Sequence, residues 1–334
     1  MSWRSETLTP GKVLQWANAI VSPIDSLARN TSHTGQHPVF VVGLPRSGTT
    51  LVYELIVQAF DVAYFTRAYA YSYGLPNITT RMMHRYSKTP VPRYTSNYGR
   101  IPGWRSPAEN HVFWERWIRS RGQLGHYLPP GITSANRLAA ARQSVASITA
   151  IAGRPFVFKD VYLAMSPVAL LEFFPNARII LVERDFDAVC ASVLQARMKH
   201  KAGTWWSVRP PFYREMMDKD DVEKTAYQCT RAKQLMDREF AGIPAANCLR
   251  VSYDEICSDP LEVLEHLGDW TMPPLERRAK AGIPSSFDRR GSKGIAAGDA
   301  RRFAKLCETM NSDHDCYLQR VDHEVEQLKV AGAT

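Results

Sequence analysis

The densest chemistry in the chain lies in Gly43-Leu44-Pro45-Arg46-Ser47-Gly48 and the two threonines that follow, Thr49 and Thr50. The apolar run Val39–Val42 precedes the loop, and a stretch with helical spacing, ending near Phe60, follows it. A strand, a tight loop and a helix N-terminus together aim backbone N–H groups and the positive end of a helix dipole at one point, where an anion binds. Arg46 adds a cation there, and Ser47, Thr49 and Thr50 add hydroxyl donors. The spacing is close to a P-loop, Gly-x4-Gly-Lys-Ser/Thr. Thr49 stands at the lysine position, however, and the cation has moved into the loop at Arg46. The P-loop lysine and its metal serve γ-phosphoryl transfer. The loop therefore predicts a nucleotide gripped for a different reaction.

Two further cations sit at the ends of apolar runs. Lys159 follows Phe156-Val157-Phe158, and Arg184 follows Ile179–Glu183, with Ser192 eight residues further on. For Lys159 two readings stand: contact with a transferring group, or an ion pair with Asp160 or Glu183. For Arg184 and Ser192 the choice is a phosphate clamp, or an arginine paired to Asp187 with Ser192 carried inside a helix. Glu109 falls in Ser106-Pro107-Ala108-Glu109, which is also a capping box that would start a helix running to about Ser120. His111, beside Trp114, is the next base candidate, and His126 follows it.

These residues need a scaffold that brings distant segments together. Strands at 39–42, 156–159, 178–183 and 248–252 alternate with helices near 11–29, 49–60, 133–152, 167–174, 187–200, 220–240 and 260–268. That alternation predicts an α/β fold, a P-loop-like parallel sheet flanked by helices on both faces. Ligands bind beyond the C-terminal ends of such strands, where Gly43, Lys159 and Arg184 all fall. The expectation is a single domain over 1–334. An irregular and helical insertion, 62–152, would contribute to an acceptor site, and one amphipathic helix would close the chain at about 300–330.

Composition narrows the classes. The net charge of +9 suits anionic ligands, but the cations follow no nucleic-acid-binding module. Six scattered cysteines form no Cys-x2-Cys pair, and no His-Glu-x2-His occurs, so neither a disulfide framework nor a metal is expected. No run approaches the ~20 apolar residues of a membrane span, and Ser2–Pro10 lacks signal-peptide character. The expectation is a cytoplasmic protein. Residues 62–108 contain no acid but seven basic residues and seven tyrosines. Six of the basic residues are Arg67, Arg81, Arg85, Arg93, Arg100 and Arg105.

Pro45-Arg46-Ser47-Gly48-Thr49-Thr50 after a strand resembles the 5′-phosphosulfate loop of sulfotransferases that use 3′-phosphoadenosine 5′-phosphosulfate (PAPS). Ala177–Ser192 resembles that family's 3′-phosphate segment, with Phe186 in place of its usual proline. Val157-Phe158-Lys159-Asp160 is similar to the strand-end Lys-Ser/Asp-Pro element of bacterial and tyrosyl-protein sulfotransferases, with Val161 at the proline position. Val251–Ile256 with Asp259-Pro260 is similar to a late strand and helix of the family, and Arg289-Arg290-Gly291 to a loop that closes over the nucleotide.

The resemblance implies PAPS as co-substrate and no metal. The acceptor would be a hydroxyl or amine of a glycan, lipid or small molecule, and the acid-free insertion points to one that already carries negative charge. It implies donor contacts from Arg46, Ser47, Gly48, Thr49, Thr50, Arg184, Ser192, Arg289, Arg290 and Gly291. Arg46, Lys159 and a base, Glu109 or His111, would act at the sulfuryl group. A P-loop-like small-molecule kinase, with Asp160 holding a metal, and a non-catalytic nucleotide or polyanion binder are the competing readings.

Overall fold

Four apolar residues form the central strand of the molecule, because each is buried from both sides: β1, Val39–Val42, is at most 2 % exposed along its length. The structure is a computed structural model and describes residues 10–32, 35, 37–84, 94, 101–118, 122–199, 205–271, 273–278, 282–289, 295 and 297–332. The other strands are β2 (Ala63–Tyr64), β3 (Phe156–Lys159), β4 (Arg178–Glu183) and β5 (Cys248–Ser252). Their order is β2-β3-β1-β4-β5, and every pairing is parallel. Strands flanking β1 are thus reached by crossovers in opposite directions, which opens a crevice beyond its C-terminal end.

The period of two sorts β1 between two cores. Phe40 and Val42 pack with α5 (Ala135–Ala152), α6 (Pro167–Phe173), α7 (Phe186–Lys199) and α8 (Asp221–Ala241). Val39 and Val41 pack with α2 (Thr49–Ala59), α9 (Tyr253–Ser258) and α10 (Pro260–Trp270). Burying each such side chain stabilises the fold by about 1.5–3 kcal/mol. The first core holds an aromatic cluster in which Phe40 stacks on Phe158 and meets Trp114 at 5.4 Å. The α/β fold with helices on both faces is as expected from the sequence. Helix α8 starts with a capping box between Asp220 and Glu223, and Asp185 caps α7 by accepting from Ala188 N.

Four segments differ from expectation. Residues 62–105 contain β2 and the helix α3 (Pro76–Met83). The Ser106 capping box does not form. Ser106 Oγ donates to Pro102 O, Ala108 N donates to Phe65 O, and Pro107 bridges to Thr66. This pairing with the chain after β2 holds 106–109 off a helix, leaving only the short α4 (His111–Trp114). At the N-terminus, α1 (Pro10–Asp25) carries Pro23 in its last turn and then tightens into a 3-10 turn, Ser26–Ala28. The closing helix is two helices, α11 (Ala297–Ser312) and α12 (His314–Gly332), separated at Asp313. Tyr317 and Val321 on α12 are buried in the α8-side core.

Candidate active site

The loop after β1 is shaped by glycines that nothing larger can replace. Gly48 caps α2 with φ +104°, and a Cβ there would lie 2.3 Å from the Tyr253 ring. A Cβ on Gly43 would lie 2.6 Å from Val182 O and 2.7 Å from Ser47 Oγ. Arg46 holds φ +72°, a region sparsely populated by non-glycine residues. That conformation is fixed from outside the loop. Arg184 Nη1 donates to Arg46 O at 3.0 Å, and Arg46 Nε donates to Ser192 Oγ at 2.9 Å. Arg46, Arg184 and Ser192, separated by up to 146 residues, thus form one hydrogen-bonded chain.

The anion-binding character of this loop follows from its unsatisfied donors. The first N–H groups of a helix have no intrahelical acceptor, and α2 begins at Thr49 and Thr50. Ser47 Oγ is buried, with no hydrogen-bond partner among the described residues. A tetrahedral phosphate or sulfate group would satisfy such a hydroxyl and the N–H groups around it, so the residues present fit a phosphosulfate. Beside Ser47 and Arg184 opens a cleft walled by Leu44, Phe186, Met236 and Phe240. The Arg184 guanidinium lies 4.4 Å above the Tyr253 ring, which is itself the floor under Gly48.

Lys159 approaches the same loop from β3. Phe156 and Phe158 face the α8 side, so period two turns Lys159 toward α2. Its Nζ donates to Thr50 Oγ1 at 3.1 Å and forms an ion pair with Glu109 Oε1. The lysine side chain is 4 % exposed and the glutamate 33 %. The Lys159 partner is therefore Glu109, while Glu183 pairs with Arg250 on β5. Once the cap is lost, Glu109 becomes the half-open carboxylate at the loop.

Next to this pair lies Asp160, 2 % exposed. Burial, then the nearby Glu109 carboxylate, push its carboxyl up to about 8. Its Oδ1 accepts from Tyr162 N, and Oδ2 has no hydrogen-bond partner among the described residues. His111 meets the Tyr162 ring edge-on at 5.2 Å, and His126 lies 4.1 Å from the same ring. Burial, and then Arg209, lower His126 to about 3, so its ring is neutral, with Nδ1 accepting from Arg209 N.

The structure thus brings together Arg46, Ser47, Gly48, Thr49, Thr50, Arg184 and Ser192, with Lys159 and Glu109 joined through Thr50. His111 stands on the Tyr162 side. Arg289 Nε lies 3.4 Å from Asp254 at the start of α9, next to Tyr253. Arg290 and Gly291 lie outside the described residues, as do Arg85, Arg93 and Arg100. Of the insertion's other arginines, Arg67 donates to Ile101 O and Arg81 to Ala28 O. Tyr253, Tyr162 and Asp160 gain their place only through the fold. Tyr253 was visible in sequence as part of a matching segment but without a role. Trp205 and Phe212 are buried in the α8-side core.

The sulfotransferase family model matches residues 38–276. No curated protein matches the chain. Among solved structures, the crystal structure of sulfotransferase STF9 from Mycobacterium avium is similar with a TM-score of 0.55 at 14 % identity, over 92 % of this chain and 87 % of that one. That of sulfotransferase STF1 from Mycobacterium tuberculosis H37Rv has a TM-score of 0.53 at 15 % identity, over 88 % and 82 %. At these identities the likeness is one of fold. The family model spans the loop, Glu109, Lys159, Arg184 and Ser192, and by that match the chain belongs to the sulfotransferase family.

Proposed function

We propose that the protein transfers a sulfuryl group from PAPS to a hydroxyl or amine of a glycan, lipid or small-molecule acceptor. The observation that carries this reading is the joining of Arg46, Arg184 and Ser192 across the C-terminal ends of β1 and β4. In the reading, the loop N–H groups, Ser47, Thr49 and Thr50 hold the 5′-phosphosulfate. Arg184 and Ser192 hold the 3′-phosphate, with Arg289, Arg290 and Gly291 closing over it.

In the transfer, an acceptor oxygen forms a bond to sulfur as the bond from sulfur to the bridging phosphate oxygen breaks. Arg46 stabilises the charge that develops on that leaving oxygen. Glu109 takes the acceptor proton, and Lys159 orients Glu109 while staying tied to the loop through Thr50. His111 is the base in the alternative assignment. The whole chain acts as one catalytic domain, residues 62–152 form the acceptor side, and their basic residues favour an acceptor that already carries negative charge.

The test is incubation of the purified protein with PAPS and a mixed acceptor extract, read by mass spectrometry. Acceptors heavier by one SO3, formed without added metal, are expected. Turnover of ATP that requires magnesium, with no SO3 transfer, would instead assign the protein to small-molecule kinases.

A further inference from the structure

Over residues 17–25, helix α1 (Pro10–Asp25) is built inside out, with Asn18, Ser22 and Asp25 facing the protein. Asn18 donates to Tyr71 O and accepts from Gly74 N. Asp25 accepts from Asn77 Nδ2 at 2.7 Å and from Ile78 N at 3.0 Å. Ser22 accepts from Arg116 Nη2. The apolar residues at i, i+4 and i+7 face outward: Ile20 is 72 % exposed, Ile24 54 % and Leu27, in the following 3-10 turn, 87 %. Met82 on the adjacent α3 is 65 % exposed. An apolar stripe kept on the open side of a helix whose polar stripe is spent on the fold marks an interaction surface.

The charges around this stripe are of one sign. Arg29 is exposed, and Arg81 grips Ala28 O at 3.1 and 2.9 Å, at the end of the same turn. On the flank of α1 a cavity is lined by Ser22, Ser26, Arg29, Asn77, Arg116 and Gln143. Arg116 is half-buried there, its hydrogen bonds going to Tyr73 O and Ser22; among the described residues no carboxylate forms a salt bridge with it, although Asp25 is near enough to act on its charge. Across the described residues of α1, its 3-10 turn, α3 and α5, the one acid is Asp25, already held by Asn77 and Ile78. The asymmetry runs through the first 108 residues, which hold eleven Lys and Arg against four Asp and Glu.

We propose that this face docks on an anionic lipid bilayer, with Ile20, Ile24 and Leu27 entering the headgroup boundary and Arg29, Arg81 and Arg116 meeting lipid phosphates. An outward apolar stripe flanked by cations is the pattern of a helix lying in the membrane interface. A second copy is a poor occupant, since a twofold contact sets the same arginines against themselves. No helix among the described residues is long and apolar enough to cross a membrane, so the association is at the surface. It does not depend on the catalytic reading.

The experiment is co-sedimentation of the full chain with vesicles of phosphatidylcholine alone, or with about a third phosphatidylglycerol. Pelleting with the anionic vesicles only is expected, lost when 1 M salt cuts the Debye length to ~3 Å. Arg29→Ala weakens partitioning about fivefold. The combined Ile20→Ser, Ile24→Ser and Leu27→Ser variant loses it while melting like the parent, because these side chains are exposed. Equal pelleting with both vesicles, no pelleting, or full binding by the triple variant would overturn the proposal. So would a concentration-dependent dimer that the triple variant abolishes, which would give the stripe to a second copy.

Discussion

The proposed donor loop and the proposed acceptor side of this molecule are built by different means. In the loop from Gly43 to Thr50, two glycines allow the close approaches and β1 and α2 set its ends, while Arg184 and Ser192, at the neighbouring strand end and helix, hold Arg46 from outside. The proposed acceptor side has no such local logic. Glu109, His111, Asp160 and Tyr162 meet because the chain after β2 pairs with 106–108, which releases Glu109 from a helix cap and hands it to Lys159. A site set by strand ends is rigid and local, whereas one set by loop-to-loop pairing depends on distant contacts and is open to variation.

The sharpest way to break this comparison is at Gly48. Gly48→Ala forces a Cβ into the Tyr253 ring at a left-handed φ, and the expected outcome is loss of transfer with destabilisation of about 3 kcal/mol. Gly131 also has a positive φ, of +78°, but open space around it. Gly131→Ala should cost only about 1 kcal/mol. Thermal melts of the two variants that coincide would show that the Tyr253 contact does not shape the loop.

Within the loop, Arg46→Ala removes the cation expected at the leaving oxygen. Turnover should fall by a factor equivalent to about 2.7–4 kcal/mol of barrier, with the melting temperature little changed. On the acceptor side, Glu109→Gln should lower turnover about 10²-fold and leave nucleotide affinity intact. Initial-rate kinetics distinguish the assignments: parental turnover in Glu109→Gln, with loss in His111→Ala, would move the base to His111.

A separate test concerns the pH dependence that Asp160 sets. Its carboxyl is held protonated in the fold, pushed up to about 8 from 3.8. A folded-state value above the unfolded one means stability fully present below 3.8 and lost as pH rises through about 8. Denaturant melts across that window should show the decline, and Asp160→Asn, which is neutral throughout, should flatten it. A decline of equal slope in Asp160→Asn would place the titrating group elsewhere.

The same contrast explains what could be read from the sequence. The five-stranded sheet was legible apart from β2, because β1, β3, β4 and β5 are apolar runs between helical patterns; two residues of β2 give no periodic signal. The convergence of Arg46, Arg184 and Ser192 was legible because their position at strand and helix ends is a local property. The fate of Glu109 was not, since Ser106-Pro107-Ala108-Glu109 satisfies a capping rule that a tertiary pairing with Phe65 and Thr66 overrides. The break at Asp313 was hidden for a related reason: the amphipathic pattern continues through it, while α12 packs into the core by Tyr317 and Val321.

The most direct measurement is calorimetric titration with adenosine 3′,5′-bisphosphate, set beside ATP, on the parent protein and on Arg184→Ala. The account predicts tight binding of the bisphosphate and weaker binding of ATP. At ~100 times the dissociation constant the bisphosphate should add about 2.7 kcal/mol of stability, and Arg184→Ala should lose most of its affinity. Equal affinity for the two nucleotides, or a bisphosphate affinity unchanged in Arg184→Ala, would contradict it.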